Sequence, residues 1–218
     1  MGYRYVDFAP GEVYHVCARS VGQRKIFIDD EDRERFLALI IHCLPRGITQ
    51  SYSTAKRLKQ EQQKTDVSTG PVDLLCYCLM TNHVHLLLKE NYDCGTSAYL
   101  QRLLNSYARY FNIRHKRTGP LFAGPFRAVA VDGDEQLLHV SRYIHLNPYV
   151  VGMTKDPFIY EWSSLSEYIG WKSKYHRCHT GLIRSMMPPG EYRAFVSDHA
   201  DYARELAEIK HLLLEDDA

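Results

Sequence analysis

Two histidines separated by one residue are the first feature of this sequence that could perform chemistry. They are His83 and His85, in the segment MTNHVHLLL at residues 80–88. In a β-strand, residues two apart point to the same side, so both imidazoles would share one face while Val84 points into the core. Two such imidazoles with an open flank suit a divalent ion. An isolated H-x-H is more often a pair of half-buried strand histidines bonded to carbonyl groups.

A tyrosine and an asparagine form the second candidate group, in the segment SRYIHLNP at residues 141–148. On a helix, Tyr143 and Asn147 are four residues apart and therefore share a face. A tyrosine hydroxyl can attack phosphorus covalently when a cation or a base stabilises its phenolate. Taken alone, the pattern is more often a helix end whose aromatic residue packs inward.

The third feature is the distribution of charge. The 27 Lys and Arg nearly cancel the 26 Asp and Glu, so overall charge alone would not hold the chain to nucleic acid or to an anionic membrane. No acidic residue lies between Asp93 and Asp132, however, and aromatic residues in this stretch include Tyr99, Tyr107, Tyr110 and Phe111. Cations follow a phosphate backbone and aromatic rings stack on bases, which favours nucleic-acid binding over a merely solvated basic helix. The candidate DNA-binding cations are Arg102, Arg109, Arg114, Lys116, Arg117 and Arg127.

The elements that must position these groups follow from hydrophobic periodicity. Strands are predicted at residues 13–20, 71–80, 84–90 and 127–131. Helices are predicted from the N-cap candidates Asp29 and Asp30 to Pro45, at 97–117, and at 134–146, where Asn147-Pro148 would end the helix. A further helical region is predicted at 191–214. Interleaved in this way, the elements indicate an α+β fold around a mostly antiparallel sheet.

The cysteines and the apolar runs exclude several other classes of protein. No run approaches the ~20 apolar residues of a membrane span, and the first residues lack a signal-peptide core, so we expect a cytoplasmic protein without a membrane partner. Cys76 and Cys78 could form a zinc site with His83 and His85. Zinc ligands are usually spaced as C-x2-C or wider, so we interpret this C-x-C as two core positions of a strand.

Taken in chain order, four segments resemble the single-tyrosine HUH transposases, and especially their REP-associated tyrosine transposase branch. They are MTNHVHLLL, SYARYFNIRHKRTGPLFAGPFRAVAV, SRYIHLNP and EWSSLSEYIG. The resemblance runs from about residue 14 to 171. It implies a ferredoxin-like antiparallel sheet with helices packed on one face, plus a helical C-terminal extension. The chain would then consist of a transposase domain at 1–171, with a polar insertion at 53–70, and an extension at 172–218.

The resemblance also implies roles for the candidate residues. His83 and His85 would bind Mg2+ or Mn2+, and Asn147 would be a third metal ligand. Tyr143 would attack a phosphate of single-stranded hairpin DNA, forming a 5′-phosphotyrosine and leaving a 3′-hydroxyl. The implied protein is a metal-dependent enzyme that cleaves and rejoins this DNA. The alternative is a catalytically inactive protein that only binds hairpin DNA or RNA. Either a monomer or a homodimer is compatible, with the tyrosine supplied in cis or in trans.

A few positions leave further alternatives open. Tyr107 on the basic helix is a rival nucleophile, and His139, four residues before Tyr143, could orient the attacking hydroxyl. Ala123 and Pro125 stand where relatives often carry Gln and Arg, a change that could weaken contact with DNA.

Overall fold

A four-stranded antiparallel sheet forms the centre of the protein. In the computed structural model, which describes residues 6–45, 52–57, 70–124, 126–171 and 177–215, the strands lie in the order β2–β3–β1–β4. Their bounds are Val13–Arg19 (β1), Val72–Leu79 (β2), His83–Glu90 (β3) and Arg127–Val131 (β4). The four predicted strands are therefore present, within one or two residues of their predicted ends.

Helices lie between and after the strands. They are α1 (Asp30–His42), α2 (Tyr52–Arg57), α3 (Gly95–Arg114), α4 (Gly133–Val150), α5 (Leu165–Tyr168), α6 (Gly181–Met186) and α7 (Pro189–Glu215). Short 3-10 turns occupy Val21–Gln23 and Pro157–Ile159. Over the part of the chain that the structure describes, no helix combines the length and the apolar character needed to cross a bilayer. The predicted fold class, an antiparallel sheet with helices, is confirmed.

Alternation along the strands divides the side chains between two faces of the sheet. One face is packed against α1 and α3, and its strand residues are fully or almost fully buried. They include Tyr14, Val16 and Ala18 of β1 and Val84, Leu86 and Leu88 of β3. The residues between them, among them His15 and His85, belong to the opposite face.

Helices also cover the opposite face of the sheet. The prediction placed helices on one face, and the structure has them on both. Leu75 and Cys76 of β2 and Leu87 of β3 form a second core with residues of α4, α5, α6 and α7. The physical reason is visible in β2, whose sequence VDLLCYCL has buried side chains at every position except Asp73. A strand that is apolar on both sides needs a layer of structure on each.

The helix α4 runs further than its sequence indicates. Asn147-Pro148 was expected to end it, but Pro148 lies inside the helix and is buried. Proline removes only one hydrogen bond of the helix. The last turn is retained because Val151 N donates to the Asn147 carbonyl, and the helix ends at Val150, two residues before Gly152, whose φ is +73°. This extra turn keeps Asn147 inside regular helix.

The structure describes parts of the predicted insertion at 53–70 and of the predicted C-terminal extension at 172–218. The polar segment expected to be an insertion at 53–70 begins within α2, and its residues 58–69 lie outside the described part. Beyond residue 171, α7 joins the second core: Tyr192 and Val196 are fully buried in the same cluster as Ile144. The C-terminal residues therefore help to hold α4 against the sheet.

A buried carboxylate connects the end of β3 to the start of α3. Glu90 is fully buried, and its two carboxylate oxygens accept hydrogen bonds from the backbone N–H groups of Gly95 and Thr96, each at 2.9 Å. These are the first N–H groups of α3, whose own N-cap residue makes no side-chain capping bond. The negative charge also lies at the positive end of the helix dipole.

We therefore predict that Glu90→Gln lowers the free energy of unfolding by about 2 kcal/mol, because the buried negative charge is lost and the new amide NH2 faces one of the two backbone N–H groups. Urea denaturation followed by far-UV circular dichroism measures the change. The exposed Glu12→Gln is the matched control and should stay within about 0.5 kcal/mol of the parent protein. Equal midpoints for the two variants would contradict the capping role.

Candidate active site

His83 and His85 point toward each other from one face of β3, as the H-x-H spacing predicts. Their Nε2 atoms are 3.1 Å apart, while Val84 between them is fully buried on the other face. Two nitrogens that bind one ion at ~2.1 Å, at right angles to each other, lie about 3 Å apart. The pair therefore has the spacing of two ligands on a single divalent ion.

A hydrogen-bonded partner fixes the tautomer of His83. The Nδ2 of Asn82 donates to the Gln23 carbonyl at 3.3 Å, so the Oδ1 of Asn82 faces the Nδ1 of His83, at 2.6 Å. An amide oxygen can only accept, so this Nδ1 carries the proton. The Nε2 of His83 is left with its lone pair directed at His85. Such outer partners are the usual way in which a metal-ligating histidine is oriented.

His15 supplies the equivalent partner for His85 and was not identified from the sequence. Its Nε2 lies 2.9 Å from the Nδ1 of His85. When Nε2 of His85 holds a metal ion, its Nδ1 must donate and the Nε2 of His15 must accept. The alternation of β1 gave a signal, since His15, Cys17 and Arg19 share one face. What the sequence did not reveal is that β1 pairs with β3, so that Cys17 lies opposite His85.

Burial keeps all three imidazoles in the form that can bind a metal. Loss of solvation lowers the pKa of His83 to about 4, with a smaller contribution from the positive charge of Arg19. The pKa of His85 is lowered to about 2, mainly by burial and then by the neighbouring His15 and His83. Burial also lowers the pKa of His15 to about 4. At neutral pH these rings are uncharged, and neutral imidazole is the form that ligates metals.

Tyr143 lies against this histidine cluster. Its ring makes edge-on contacts with the rings of His15 and His85, each with a centroid distance of 5.8 Å. The side chain is 55% exposed, so a DNA strand could reach the hydroxyl. The tyrosine and the histidines belong to the same chain.

Asn147 lies one helical turn beyond Tyr143 on α4. It is 8% exposed, and its Nδ2 donates to the Tyr143 carbonyl at 3.2 Å. Because the amide nitrogen is engaged, Oδ1 is the atom that this side chain can offer to a cation. Across the described residues, no three His, Cys, Asp or Glu side chains form a group that could hold a metal. A bound ion would thus depend on the two imidazoles of His83 and His85 and on ligands of other kinds.

The alternative zinc site is not favoured by the geometry. Cys76 and Cys78 are fully buried free thiols in the second core. Burial raises the pKa of Cys76 to about 12 and also raises the pKa of Cys78. Zinc binds the thiolate, which such surroundings disfavour. Both are core cysteines, as interpreted from the sequence.

A buried chain of hydrogen bonds sets the position of α4 above the sheet. His145, fully buried, has its Nε2 2.8 Å from Ser164 Oγ and its Nδ1 2.8 Å from Tyr192 Oη. Tyr192 Oη is 2.9 Å from Ser141 Oγ, which donates to the Leu138 carbonyl. Burial lowers the pKa of His145 to about 3, so the ring is neutral, with one nitrogen donating and the other accepting. The chain joins α4 to α7 and to the segment before α5.

The basic helix lies on the other side of the sheet from the histidines. Arg102 and Arg109 belong to α3, which covers the opposite face. Arg114 was predicted to contact DNA, but its guanidinium instead bonds the carboxylates of Asp29, Glu31 and Asp32 at 2.6–2.9 Å. These bonds connect α3 to the start of α1. Three carboxylates around one guanidinium leave it little capacity for phosphate.

The aromatic residues of α3 also serve the core rather than a nucleic acid. Tyr99, Tyr107 and Phe111 are 0–3% exposed. The Tyr107 hydroxyl donates to the Ile26 carbonyl, and burial raises its pKa far above the ordinary value. This position excludes Tyr107 as the rival nucleophile, because no substrate can reach it.

The other predicted cations are placed differently from one another. Arg117 donates to the carbonyl of Pro120 at 2.7 Å and to Asn112 Oδ1 at 2.9 Å, so it shapes the loop after α3. Arg109, Lys116 and Arg127 are exposed. Arg127 of β4 lies on the same face of the sheet as the histidines, because it pairs with Cys17, which in turn pairs with His85. Pro125, which stands where relatives often carry Arg, lies outside the described residues.

His139 does not orient the Tyr143 hydroxyl. Its Nδ1 lies 2.9 Å from Arg142, and its ring contacts Phe195 on α7. It is an exposed histidine on the same helix as the buried His145, which makes it a natural control for that residue.

We predict that His145→Leu lowers the free energy of unfolding by about 2 kcal/mol, because the buried hydroxyls of Ser164 and Tyr192 each lose a hydrogen bond. His139→Leu removes an exposed ring from the same helix and should change stability by no more than about 0.5 kcal/mol. Both are measured by urea denaturation. Similar values for the two variants would show that the buried chain does not fix α4.

The sequence model that describes IS200-like transposases matches residues 13–147, well over half of the chain. A solved structure of a REP-associated tyrosine transposase bound to a REP hairpin has a similar fold, with a TM-score of 0.57, 12% identity, and coverage of 82% of this chain and 90% of that one. A crystal structure of a chain proposed to be a transposase, from Deinococcus radiodurans R1, is 14% identical, with a TM-score of 0.37 over 66% of this chain and 94% of that one. No curated protein sequence matches the chain. The match to the family model covers both histidines, Tyr143 and Asn147, and the chain belongs to the family of IS200-like transposases.

Proposed function

We propose that this transposase cleaves and rejoins single-stranded DNA beside a hairpin, with Tyr143 as the nucleophile. The observation that carries the proposal is the contact of the Tyr143 ring with His85, whose Nε2 lies 3.1 Å from that of His83. A phenol beside two imidazoles that can share a cation is suited to attack on a phosphodiester. The solved relative was bound to a REP hairpin, which supports hairpin DNA as the substrate.

We assign the metal site to His83, His85 and the Oδ1 of Asn147, with Mg2+ or Mn2+ as the ion. When bound, the ion supplies positive charge to the phosphate as negative charge develops on its oxygens. The histidine and amide ligands are neutral, so the full charge of the ion is left to act on the DNA. Asn82 directs the Nε2 lone pair of His83 at the shared position, and His15 can accept from the Nδ1 of His85 so that the Nε2 lone pair of His85 would face the same point.

The reaction exchanges one phosphate ester for another. As the bond from Tyr143 Oη to phosphorus forms, the bond from phosphorus to the 3′ oxygen breaks, giving a 5′-phosphotyrosine and a free 3′-hydroxyl. The phenol proton leaves to water, and the leaving 3′ oxygen takes up a proton from water, because the side chain is 55% exposed and the lone pairs of His15 and His85 are already engaged. The number of ester bonds is unchanged, so the step is reversible and suits strand transfer rather than hydrolysis.

The same geometry supports a cis arrangement and a surface for DNA. Tyr143 contacts histidines of its own chain, so we propose that one chain holds a complete set of reacting groups. Arg127, which shares the histidine face, is a proposed contact to the DNA beside the site. Arg109 and Lys116, both exposed and outside the ion pairs of the described residues, are proposed to contact DNA further from the site.

Tyr143→Phe should abolish the covalent adduct, because no oxygen remains to attack phosphorus, while the protein still binds hairpin DNA. The measurement is a denaturing gel of protein incubated with labelled hairpin oligonucleotides and Mn2+. Tyr149→Phe is the matched control, since it removes a hydroxyl from the same helix where that hydroxyl bonds Asp201 instead. An adduct that survives in Tyr143→Phe would overturn the assignment of the nucleophile. Tight binding without an adduct in the parent protein would favour the inactive DNA-binding alternative.

His83→Ala and His85→Ala should each weaken Mn2+ binding by at least about tenfold, because each removes one of two imidazole ligands. Titration of Mn2+ followed by electron paramagnetic resonance measures the free ion directly. His179→Ala, a half-buried histidine beside Asp73, is the control and should leave the affinity unchanged. Removal of the ion with EDTA should also suppress adduct formation by the parent protein. Unchanged Mn2+ affinity in both histidine variants would contradict the metal site.

A further inference from the structure

We propose that Arg19 is a catalytic residue that binds the non-bridging oxygens of the scissile phosphate next to His83 and His85. The inference rests on the proposed function and assigns to that site a cation that lies on a different strand from the histidines. Arg127, one strand further, is assigned the neighbouring phosphate.

The pairing of the strands places both arginines beside the histidines. In the β1–β3 ladder Arg19 is the partner of His83, and Cys17 is the partner of His85. In the β1–β4 ladder Cys17 is also the partner of Arg127. Residues opposite each other on antiparallel strands lie on the same face with Cβ atoms about 5 Å apart. His85, Cys17 and Arg127 thus form a row across the sheet, and Arg19 and His83 form the row next to it.

The side chain of Arg19 is directed along this face rather than away from it. Alternation along β1 puts the side chains of Cys17 and Arg19 on one face, and the positive charge of Arg19 opposes the burial that raises the pKa of the Cys17 thiol. The same guanidinium is close enough for its charge to act on both His83 and His85. It is also exposed, so a substrate can reach it. Its position is therefore at the edge of the histidine pair, on the solvent side.

None of the ion pairs among the described residues balances the positive charge beside the histidines. The face carries Arg19 and Arg127 beside neutral histidines, and no carboxylate from β1, β3 or β4 points to it. None of the ion pairs among described residues includes Arg19, in contrast to Arg114, which contacts three carboxylates. A divalent ion would add two more positive charges. The anion that balances such a site is a phosphodiester.

Guanidinium chemistry matches the reaction. Its planar fork can donate two parallel hydrogen bonds to two oxygens of one phosphate, which an ammonium group cannot do. As Tyr143 attacks, negative charge grows on those oxygens, so the bonds strengthen in the transition state. A fixed donor of this kind typically contributes a factor of about 100–1,000 to the rate.

The test compares Arg19→Ala, Arg19→Lys and Arg127→Ala with the parent protein in the adduct assay, using saturating hairpin DNA and Mn2+. Arg19→Ala should form the adduct at least about 100-fold more slowly, with hairpin affinity reduced less than about fivefold. The rate of adduct formation by Arg19→Lys should lie between the rates of Arg19→Ala and the parent, because lysine keeps the charge but lacks the planar pair of donors. Arg127→Ala should mainly weaken binding and lower the salt dependence of the affinity by about one ion. Arg184→Ala, an exposed arginine of α6, is the control and should match the parent.

Binding of Mn2+ to the DNA-free protein separates catalysis from a structural role. Arg19 repels a cation at the histidines, so Arg19→Ala should bind Mn2+ as well as the parent or more tightly. Weaker Mn2+ binding, or an adduct rate equal to that of the parent, would overturn the proposal. A parent protein that forms no adduct with any hairpin would instead refute the proposed function, so the two failures are distinguishable.

Discussion

The rotation of α4 against the sheet is the constraint on which the proposed active site depends, because α4 carries Tyr143 on a face that must meet two histidines from β3. Apolar packing alone would allow a helix to turn by a few degrees at small cost. The directed hydrogen bonds of His145 to Ser164 and Tyr192 do not, since both hydroxyls are buried and would lose partners. A polar network two residues from the nucleophile thus fixes where the nucleophile points.

The histidine pair depends on a second kind of constraint, the supply of partners for the ring nitrogens that face away from the metal. Strand alternation brings His83 and His85 to one face, but it does not choose which nitrogen carries the proton. Asn82, in the turn before β3, makes that choice for His83, and His15 on the neighbouring strand β1 can accept from the Nδ1 of His85 when its Nε2 holds an ion. Burial then keeps the rings neutral. Arg19 and Arg127 lie on the same face of the sheet, so the site combines uncharged ligands with positively charged neighbours.

Much of this arrangement could be predicted from local sequence pattern, and the rest required knowledge of which strands pair. The H-x-H spacing placed two imidazoles on one face, the i, i+4 spacing placed Tyr143 and Asn147 on one helix face, and periodicity located all four strands. His15 and Arg19 were missed because β1 and β3 are far apart in the chain, and no local signal specifies their register. The acid-free stretch was misleading in part. Its aromatic residues supply the core beneath α3, and the acids that neutralise Arg114 come from α1.

The backbone carbonyl of Gln23 orients Asn82, and through it His83. Position 23 is therefore important for the site, although the type of residue at that position is not. The side chain of residue 23 takes no part in that contact, and its φ of +54° is one that glycine and asparagine also adopt readily. Evolution can therefore exchange the residue here while keeping the site intact. Removing one residue from the turn would shift the carbonyl and disturb the histidine that depends on it. Alignments of relatives should thus show this turn as variable in composition but constant in length.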